Sequence, residues 1–122
     1  MARDERGVSD SLQWAILTPL LLLTVLGLIQ TGIWLHGRTI ATNAAIAAAE
    51  DAALLDGTAD AARALASGIA SDGGLADVSV TVTQGTESAR VVVSGRMPTF
   101  LDLGQARVSE QATRPRERVT RP

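Results

Sequence analysis

The sequence predicts an α+β fold in which a long N-terminal helix and a shorter second helix precede a small antiparallel β-meander. Three observations lead to this prediction. Residues 14–35 are strongly apolar, residues 39–56 are rich in alanine, and valines alternate with polar residues within 78–93. Leucine-rich and alanine-rich runs favour helix, whereas apolar residues at every second position are typical of a half-buried strand.

The composition restricts both the core and the chemistry of this chain. Of its 122 residues only two are tryptophan and one is phenylalanine, so any core outside the apolar segment must be built from aliphatic side chains. Cysteine is absent, which excludes disulfides, thiolate metal sites and thiol catalysis. The formal net charge of −2 gives no reason to expect nucleic acid as a partner.

The apolar segment has the length and composition of a membrane span. Residues 14–35 include 12 leucine, isoleucine or valine residues, and about 20 apolar residues in a helix cross a hydrocarbon core of roughly 30 Å. These 12 side chains favour insertion by roughly 4–7 kcal/mol. We therefore predict a transmembrane helix over residues 11–38 with membrane lipid as its partner. Trp14, Trp34 and Arg38 are predicted anchors at the two membrane interfaces.

The distribution of arginine predicts the orientation of this helix. Arg3 and Arg6 precede the apolar segment, Arg38 follows it, and the next arginine is Arg63. Because positive residues are enriched on the cytoplasmic side, we expect residues 1–10 in the cytoplasm and the rest of the chain exported. The predicted location is the cytoplasmic membrane, crossed once.

The remaining elements follow from turn and cap signals. The first helix is predicted from about residue 11 to 56, since nothing in the alanine-rich region breaks it before Gly57. Thr58 is a suitable N-cap for the second helix. The predicted organisation is alanine-rich exported helices over 39–74, a β-meander over 75–113 with a third strand at 106–113, and a disordered arginine- and proline-rich tail over 114–122.

No arrangement of residues in the sequence indicates catalysis or metal binding. His36 is the only histidine and lies at the predicted membrane edge without a second nitrogen ligand. The acidic residues Glu50, Asp51, Asp56 and Asp60 lack the spacing of a calcium loop and are read as a solvated helix surface. We therefore expect no enzymatic activity, no cofactor, no metal and no small-molecule substrate.

Four residues within the apolar segment, Pro19, Gly27, Gln30 and Thr31, are candidate assembly contacts with other helices. Gly27 and Thr31 form a small-xxx-small pair, and Gln30 can hydrogen-bond to a neighbouring helix. Leucine-rich membrane segments often contain such pairs by chance, so a lipid-facing position is the alternative.

The N-terminal half resembles the TadE-like family, whose members are minor pilins or pseudopilins of tight-adherence (Flp-type) pilus systems. The resemblance lies in an arginine-glycine leader end at 6–7, the aromatic Trp14, Pro19 ahead of a leucine run, and the alanine-rich region that begins at Asn43. It implies a pilin-like α+β fold and a structural role in pilus or secretion-machine assembly. Other pilin-like subunits and the pilus assembly platform would be the partners.

The same resemblance implies processing by a prepilin peptidase between Gly7 and Val8. The family's acid at the fifth position after the cut is replaced here by Gln13 at the sixth position. An amide accepts a hydrogen bond but carries no charge, so Asp10, at the third position, is the candidate substitute for pairing with a neighbour's N-terminal amine.

Two alternatives differ in what happens to the apolar helix. A secreted binding module would arise from signal-peptide cleavage at the A-x-A-like site 45–47, although signal h-regions of about 7–15 residues are shorter than this one. A membrane-anchored exported interaction domain outside any filament would retain the helix.

Overall fold

The computed structural model describes residues 2–99 and 107–117, with side chains from residue 7 onward. The elements are α1 (Ala2–Ala53), α2 (Ala59–Asp72), β1 (Ala76–Gln84), β2 (Ser88–Arg96) and β3 (Arg107–Pro115). This order of two helices and three strands confirms the predicted α+β class. The chain forms two compact units, Met1–Gly32 and Ile33–Pro122.

Helix α1 begins earlier and ends earlier than predicted. It starts at Ala2, because the polar leader contains no strong helix breaker, and it ends at Ala53 and not at residue 56. After Ala53 the chain turns tightly: Leu54 N–H donates to Asp51 O at 3.3 Å, and Gly57 N–H donates to Leu54 O at 3.1 Å. A Cβ atom at Gly57 would collide with Asp51 O, so this turn requires glycine.

The first unit consists of the leucine-rich part of α1. Nearly all of residues 7–32 are exposed, with only Gln30 half-buried. The helix is long and apolar enough to cross a membrane. The hydroxyls of Thr24 and Thr31 donate to the carbonyls of Leu20 and Gly27, each at 2.8 Å, so these polar groups are satisfied within the helix.

The second unit is built on the alanine-rich part of α1. Its buried residues recur at intervals of three and four, which places them on one face of the helix. All are at most 5% exposed: Ala41, Ala44, Ala45, Ala48, Ala49, Ala52 and Ala53. Because an alanine side chain is a single methyl group, the packed elements can approach the helix backbone closely.

Helix α2 has the predicted N-cap and contributes a second alanine face. Thr58 is extended, with φ −117° and ψ 150°, and its hydroxyl accepts from Ala61 N–H at 3.1 Å. Ala62, Ala66 and Ala70 are fully buried. The chain leaves α2 through two glycines into β1.

The three strands form an antiparallel sheet in the order β1-β2-β3. Val80 pairs with Val93, and Val93 pairs with Glu110. Strand β3 continues to Pro115, two residues into the segment predicted as a tail, because Pro115 still pairs with Ser88 of β2. Position 106 of the predicted third strand and residues 118–122 of the predicted tail lie outside the described residues.

The core lies between the sheet and the alanine faces of the two helices. Val91 and Val93 of the central strand are its largest fully buried side chains. The opposite face of the sheet is mainly serine, threonine, glutamine and arginine, as the alternation of the sequence predicts. The second unit therefore buries its own core, while the apolar side chains of residues 7–32 remain exposed among the described residues.

Candidate assembly surfaces

The apolar residues of the first unit surround the helix completely. Leu20, Leu21, Leu22 and Leu23 are 55–64% exposed, and successive residues of an α-helix project about 100° apart. A helix on the surface of a water-soluble domain has one apolar face, whereas a helix that is apolar on all sides is buried in a core or a membrane. The chain itself supplies no core for these residues among those described. By length and composition this helix could span a membrane.

The residues of the predicted processing site lie in the first turns of α1. Gly7, Val8, Asp10 and Gln13 are all exposed, and no other side chain approaches within 4 Å of the Cβ position at Gly7. Asp10 and Gln13 are three positions apart and so share one side of the helix. This arrangement leaves the Gly7–Val8 bond accessible, and its cleavage stays a prediction.

The predicted helix-contact residues also lie on the open part of α1. Pro19 is accommodated within the helix. Nothing approaches within 4 Å of the Cβ position at Gly27, and the Thr31 hydroxyl is bonded to the Gly27 carbonyl one turn earlier. The pair therefore presents a small surface with no unsatisfied hydroxyl, which suits close packing of a second helix. Gln30, beside this pair, is half-buried, and its role as a polar contact with another helix stays a prediction.

Two predicted membrane-interface anchors contact strand β3. Trp34 Nε1–H donates to Arg107 O at 3.3 Å, and the Arg38 guanidinium lies 5.1 Å from the centre of the Trp34 ring. Arg38 Nε also donates to Glu110 Oε1 at 2.9 Å. We call Trp34, Arg38 and Glu110 the helix–strand clamp. Whether Trp34 and Arg38 also lie at a membrane interface stays a prediction, as it does for the exposed Trp14.

Sequence reasoning missed Glu110 because it lies 72 residues from Arg38 in the chain. A signal was present in the alternation: Glu110 is the acidic residue at a core-facing position between Val108 and Ala112 of β3. A half-buried carboxylate in such a position favours a cationic partner, and Arg38 provides it.

The end of α1 is held by a second set of contacts. The Gln84 side-chain amide donates to Ala52 O and Gly57 O, both at 3.1 Å, and Glu117 N–H donates to Ala53 O at 2.8 Å. These bonds satisfy carbonyls that a helix C-terminus leaves without partners. Glu50, one of the acids predicted to be solvated, lies 3.8 Å from the Arg114 guanidinium. Strand β3 is thus attached to α1 near both of its ends.

The outer face of the sheet carries a polar groove of about 420 Å³. Ser79, Ser94 and Ser109 lie in register across the three strands, and Asp77, Arg96 and Arg107 line the groove beside them. The residues that the structure describes contain no group of three or more histidine, cysteine or acidic side chains placed to hold a metal. The described surface is therefore suited to contacts with other molecules by packing, hydrogen bonds and charge.

Comparison with known families gives a match that includes most of the exposed leucine-rich part of α1, residues 7–32, which we call the open helix. The family model described as TadE-like protein matches residues 9–50, all within α1. The match confirms the resemblance over about a third of the chain and points to a Tad/Flp pilus-related system, to which the family contributes a structural, non-enzymatic kind of protein. Comparisons with the curated proteins and with the solved structures gave no match.

Proposed function

We propose that this chain, TadE-like over residues 9–50, is a single-pass membrane subunit that acts structurally in assembly of a tight-adherence pilus or a related secretion machine. One observation carries the proposal: residues 14–32, which lie within the matched segment, form a part of α1 that is apolar on all sides and has no partner among the described residues. Lipid covers this surface before assembly, and the helices of other pilin-like subunits cover it afterwards.

The transfer from lipid to a helix bundle gains little hydrophobic free energy, because lipid tails are as apolar as leucine. Close packing at Gly27 and Thr31 and polar contacts of Gln30 supply the specific part of the attraction. The remaining work comes from the pilus assembly platform. The alanine-rich part of α1 takes no part in the bundle, since its apolar face is already buried against the sheet.

Processing by a prepilin peptidase gives the mature subunit a charged N-terminus at Val8. A charge that enters an apolar bundle must be paired there. Asp10 supplies the carboxylate for the amine of a neighbouring subunit, and the amide of Gln13 supplies a neutral hydrogen bond on the same side of the helix. Residues 1–10 face the cytoplasm in this arrangement, and the second unit is exported.

The burial of the alanine face supports retention of the helix over release by signal peptidase. A cut at the A-x-A-like site would separate Ala41, Ala44 and Ala45, all fully buried, from the sheet on which they pack. A membrane-anchored interaction domain outside any filament is the second candidate, because the second unit has its own core and presents the polar groove on its outer face.

The proposal is tested by replacing leucines of the open helix in the full chain, expressed from its own locus. Leu22→Arg with Leu26→Arg costs roughly 5–7 kcal/mol of insertion free energy, about as much as the whole apolar segment provides. We expect the variant to be lost from the membrane and from sheared pili. The matched control is Leu54→Arg with Leu65→Arg, which changes two exposed leucines of the second unit and should leave both fractions unchanged.

Mass spectrometry of the mature N-terminus separates the candidates. A start at Val8 together with recovery in the pilus fraction supports the proposal. Retention in the membrane without any co-purification with pili supports the anchored domain, and a soluble product that begins beyond residue 44 overturns both.

A further inference from the structure

The backbone of strand β1 has a free edge at its centre. Gly85 N–H donates to Ser88 O at 2.8 Å, and residue pairs in an antiparallel ladder alternate between bonded and non-bonded. Ser79, Thr81 and Thr83 are therefore bonded to β2, and the N–H and C=O groups of Val80 and Val82 point away from the sheet. No backbone partner for these outward groups occurs among residues 2–99 and 107–117.

Strand β3 has a free centre as well, between two closed ends. Arg116 N–H donates to Glu87 O at 2.9 Å, so the same alternation directs the backbone groups of Ser109, Gln111 and Thr113 outward. Thr113 O accepts from Arg114 Nη1 at 3.2 Å, so the free centre is formed by Ser109 and Gln111. At one end the Trp34 indole occupies Arg107 O, and at the other end Pro115 has no N–H to offer.

Beyond Asp77 and the bulge at its start, strand β1 lacks the features that normally protect an edge. Natural edge strands are protected by charges, proline or a covering element, but residues 78–84 include neither a charged residue nor proline. Its core-facing residues Val78, Val80 and Val82 are only half-buried, whereas Val91 and Val93 of β2 are fully buried. The apolar surface of the unit therefore remains partly uncovered along this edge.

We propose that the β1 edge binds the β3 edge of a second copy of the chain, with the two strands parallel. The proposal rests on the proposed function, because an open filament requires a contact between two different surfaces of identical subunits. Both edge strands have nine residues and are antiparallel to β2, so they run in the same direction. If successive copies of the chain are arranged side by side with their strands pointing the same way, β1 of one copy lies beside β3 of the next, and the two strands are parallel.

One register of the two strands pairs the outward backbone groups and also places similar side chains next to each other. When Thr81 lies beside Gln111 of the second copy, the outward groups of Val80 face those of Ser109 and Gln111 of that copy. The side chains on the outer face are then paired by type: Ser79 beside Ser109, Thr81 beside Gln111, and Thr83 beside Thr113 of the second copy. Hydroxyl and amide side chains in neighbouring positions hydrogen-bond favourably.

The charges at the start of the two strands are complementary in this register. Asp77 lies at a bulge with φ 53°, bonds Arg96 at 2.7 Å, and keeps a side chain that is 75% exposed. Its carboxylate retains acceptor sites for a second cation. Among the arginine side chains that the structure describes, Arg107 alone has no hydrogen-bond or ion-pair partner. The contact places Asp77 of one copy beside Arg107 of the next.

The absence of cysteine in the sequence allows a direct test by cross-linking. The full chain with Thr81→Cys and Gln111→Cys together, expressed from its own locus, should give a ladder of dimers, trimers and larger species when the membrane fraction is treated with a short bismaleimide. Each single variant alone should give monomer, and a mixture of the two should give dimer. Val92→Cys with Ser94→Cys, on the central strand, is the control that should remain monomeric.

Dimers of Thr81→Cys alone would show a two-fold pairing of β1 edges and overturn the proposal. The proposal is also overturned if the variant with both Thr81→Cys and Gln111→Cys is recovered in the pilus fraction but gives no cross-linked species. That result would leave the proposed function intact. In the double-cysteine background, Arg107→Glu should reduce the ladder by about five-fold or more, whereas Arg107→Lys should preserve it because the opposite charges remain paired. Equal ladders in these two variants would also contradict the proposal.

Discussion

The two parts of helix α1 are both helical and apolar, yet the chain uses them in opposite ways. Residues 7–32 are leucine-rich and exposed on all sides, whereas the alanine face of residues 33–53 is fully buried. The difference shows that side-chain size, as well as apolarity, decides what covers a helix. Leucine favours transfer into lipid, and alanine favours close approach of other elements of the same chain.

The free energies of burial of leucine and alanine side chains agree with this difference between the two parts of α1. Burial of a leucine side chain gains about 1.5–3 kcal/mol, whereas a single methyl group gains about 0.8 kcal/mol. The leucine part therefore has a large driving force to leave water in any apolar environment. The alanine part has a small one and depends on the fit of the elements packed against it.

The largest effect that distinguishes the two parts should come from enlarging one alanine in each. Ala45→Leu inserts three extra carbon atoms into a site that is 0% exposed, and overpacking should lower the free energy of unfolding of the second unit by about 3 kcal/mol. Ala15→Leu, on the exposed part, should leave it unchanged. The measurement is urea unfolding of the full chain in detergent, followed by Trp34 fluorescence in a Trp14→Phe background. Equal stability of the two variants would contradict the distinction.

A smaller effect is expected from the amide that closes the end of α1. Gln84→Ala leaves Ala52 O and Gly57 O without their donor, and two part-buried acceptors without partners should lower the free energy of unfolding by about 2 kcal/mol. Gln13→Ala, in the open part of the helix, is the control. The same urea titration measures the free energy of unfolding of both variants. A loss below about 0.5 kcal/mol for Gln84→Ala would show that water replaces the hydrogen bonds of the amide.

Glycines in the two parts should respond differently to a single methyl group. A Cβ atom at Gly37 would collide with the Met97 side chain, whereas Gly27 has open space around it. The atom that would collide is Met97 Cγ, near the main chain of a buried residue, so the packing must shift. Because alanine favours helix over glycine by about 1 kcal/mol and so offsets part of this cost, Gly37→Ala should destabilise the second unit by about 1 kcal/mol. Gly27→Ala should not affect Trp34 fluorescence. A stabilised Gly37→Ala variant would mean that Met97 adopts another rotamer at no cost.

The smallest effect concerns the helix–strand clamp. Arg38→Gln removes the ion pair with Glu110 and the contact with the Trp34 ring. Since the Arg38 side chain is 47% exposed, the loss should be about 0.5–1 kcal/mol. Arg63→Gln removes an ion pair within α2 whose arginine is similarly exposed, at 49%, but whose acid, Asp60, is 95% exposed. This variant should cost less, because the pair is more solvated and joins residues of a single element. A larger loss for Arg63→Gln would argue against the clamp.

Local signals in the sequence are sufficient to predict the helices and strands, but they are insufficient to predict the contacts between them. The Thr58 cap and the alternating valines depend on neighbouring residues, so the second helix and the first two strands are found where they were predicted. The end of α1 lies three residues before the predicted end, because the chain already turns through backbone hydrogen bonds from Leu54 to Asp51 and from Gly57 to Leu54, which composition does not reveal.

The candidate surfaces divide in the same way. The exposed leucine-rich part of α1 was predictable from composition, because a helix that is apolar on all sides is typical of a membrane span or a buried core helix. The partners of Trp34 and Arg38 depend on β3, more than 70 residues away. The free backbone of Val80 and Val82 depends on the ladder register, which is fixed by the turn at Gly85 and Ser88.

The attachment of β3 near both of its ends has a mechanical consequence. Trp34 meets Arg107 at the beginning of the strand, and Ala53 meets Glu117 just past its end. A tensile load applied along α1 is then shared between these two distant attachments. Separation of the strand from the helix therefore requires both attachments to break, in shear along the strand, and cannot proceed by breaking one bond at a time from one end.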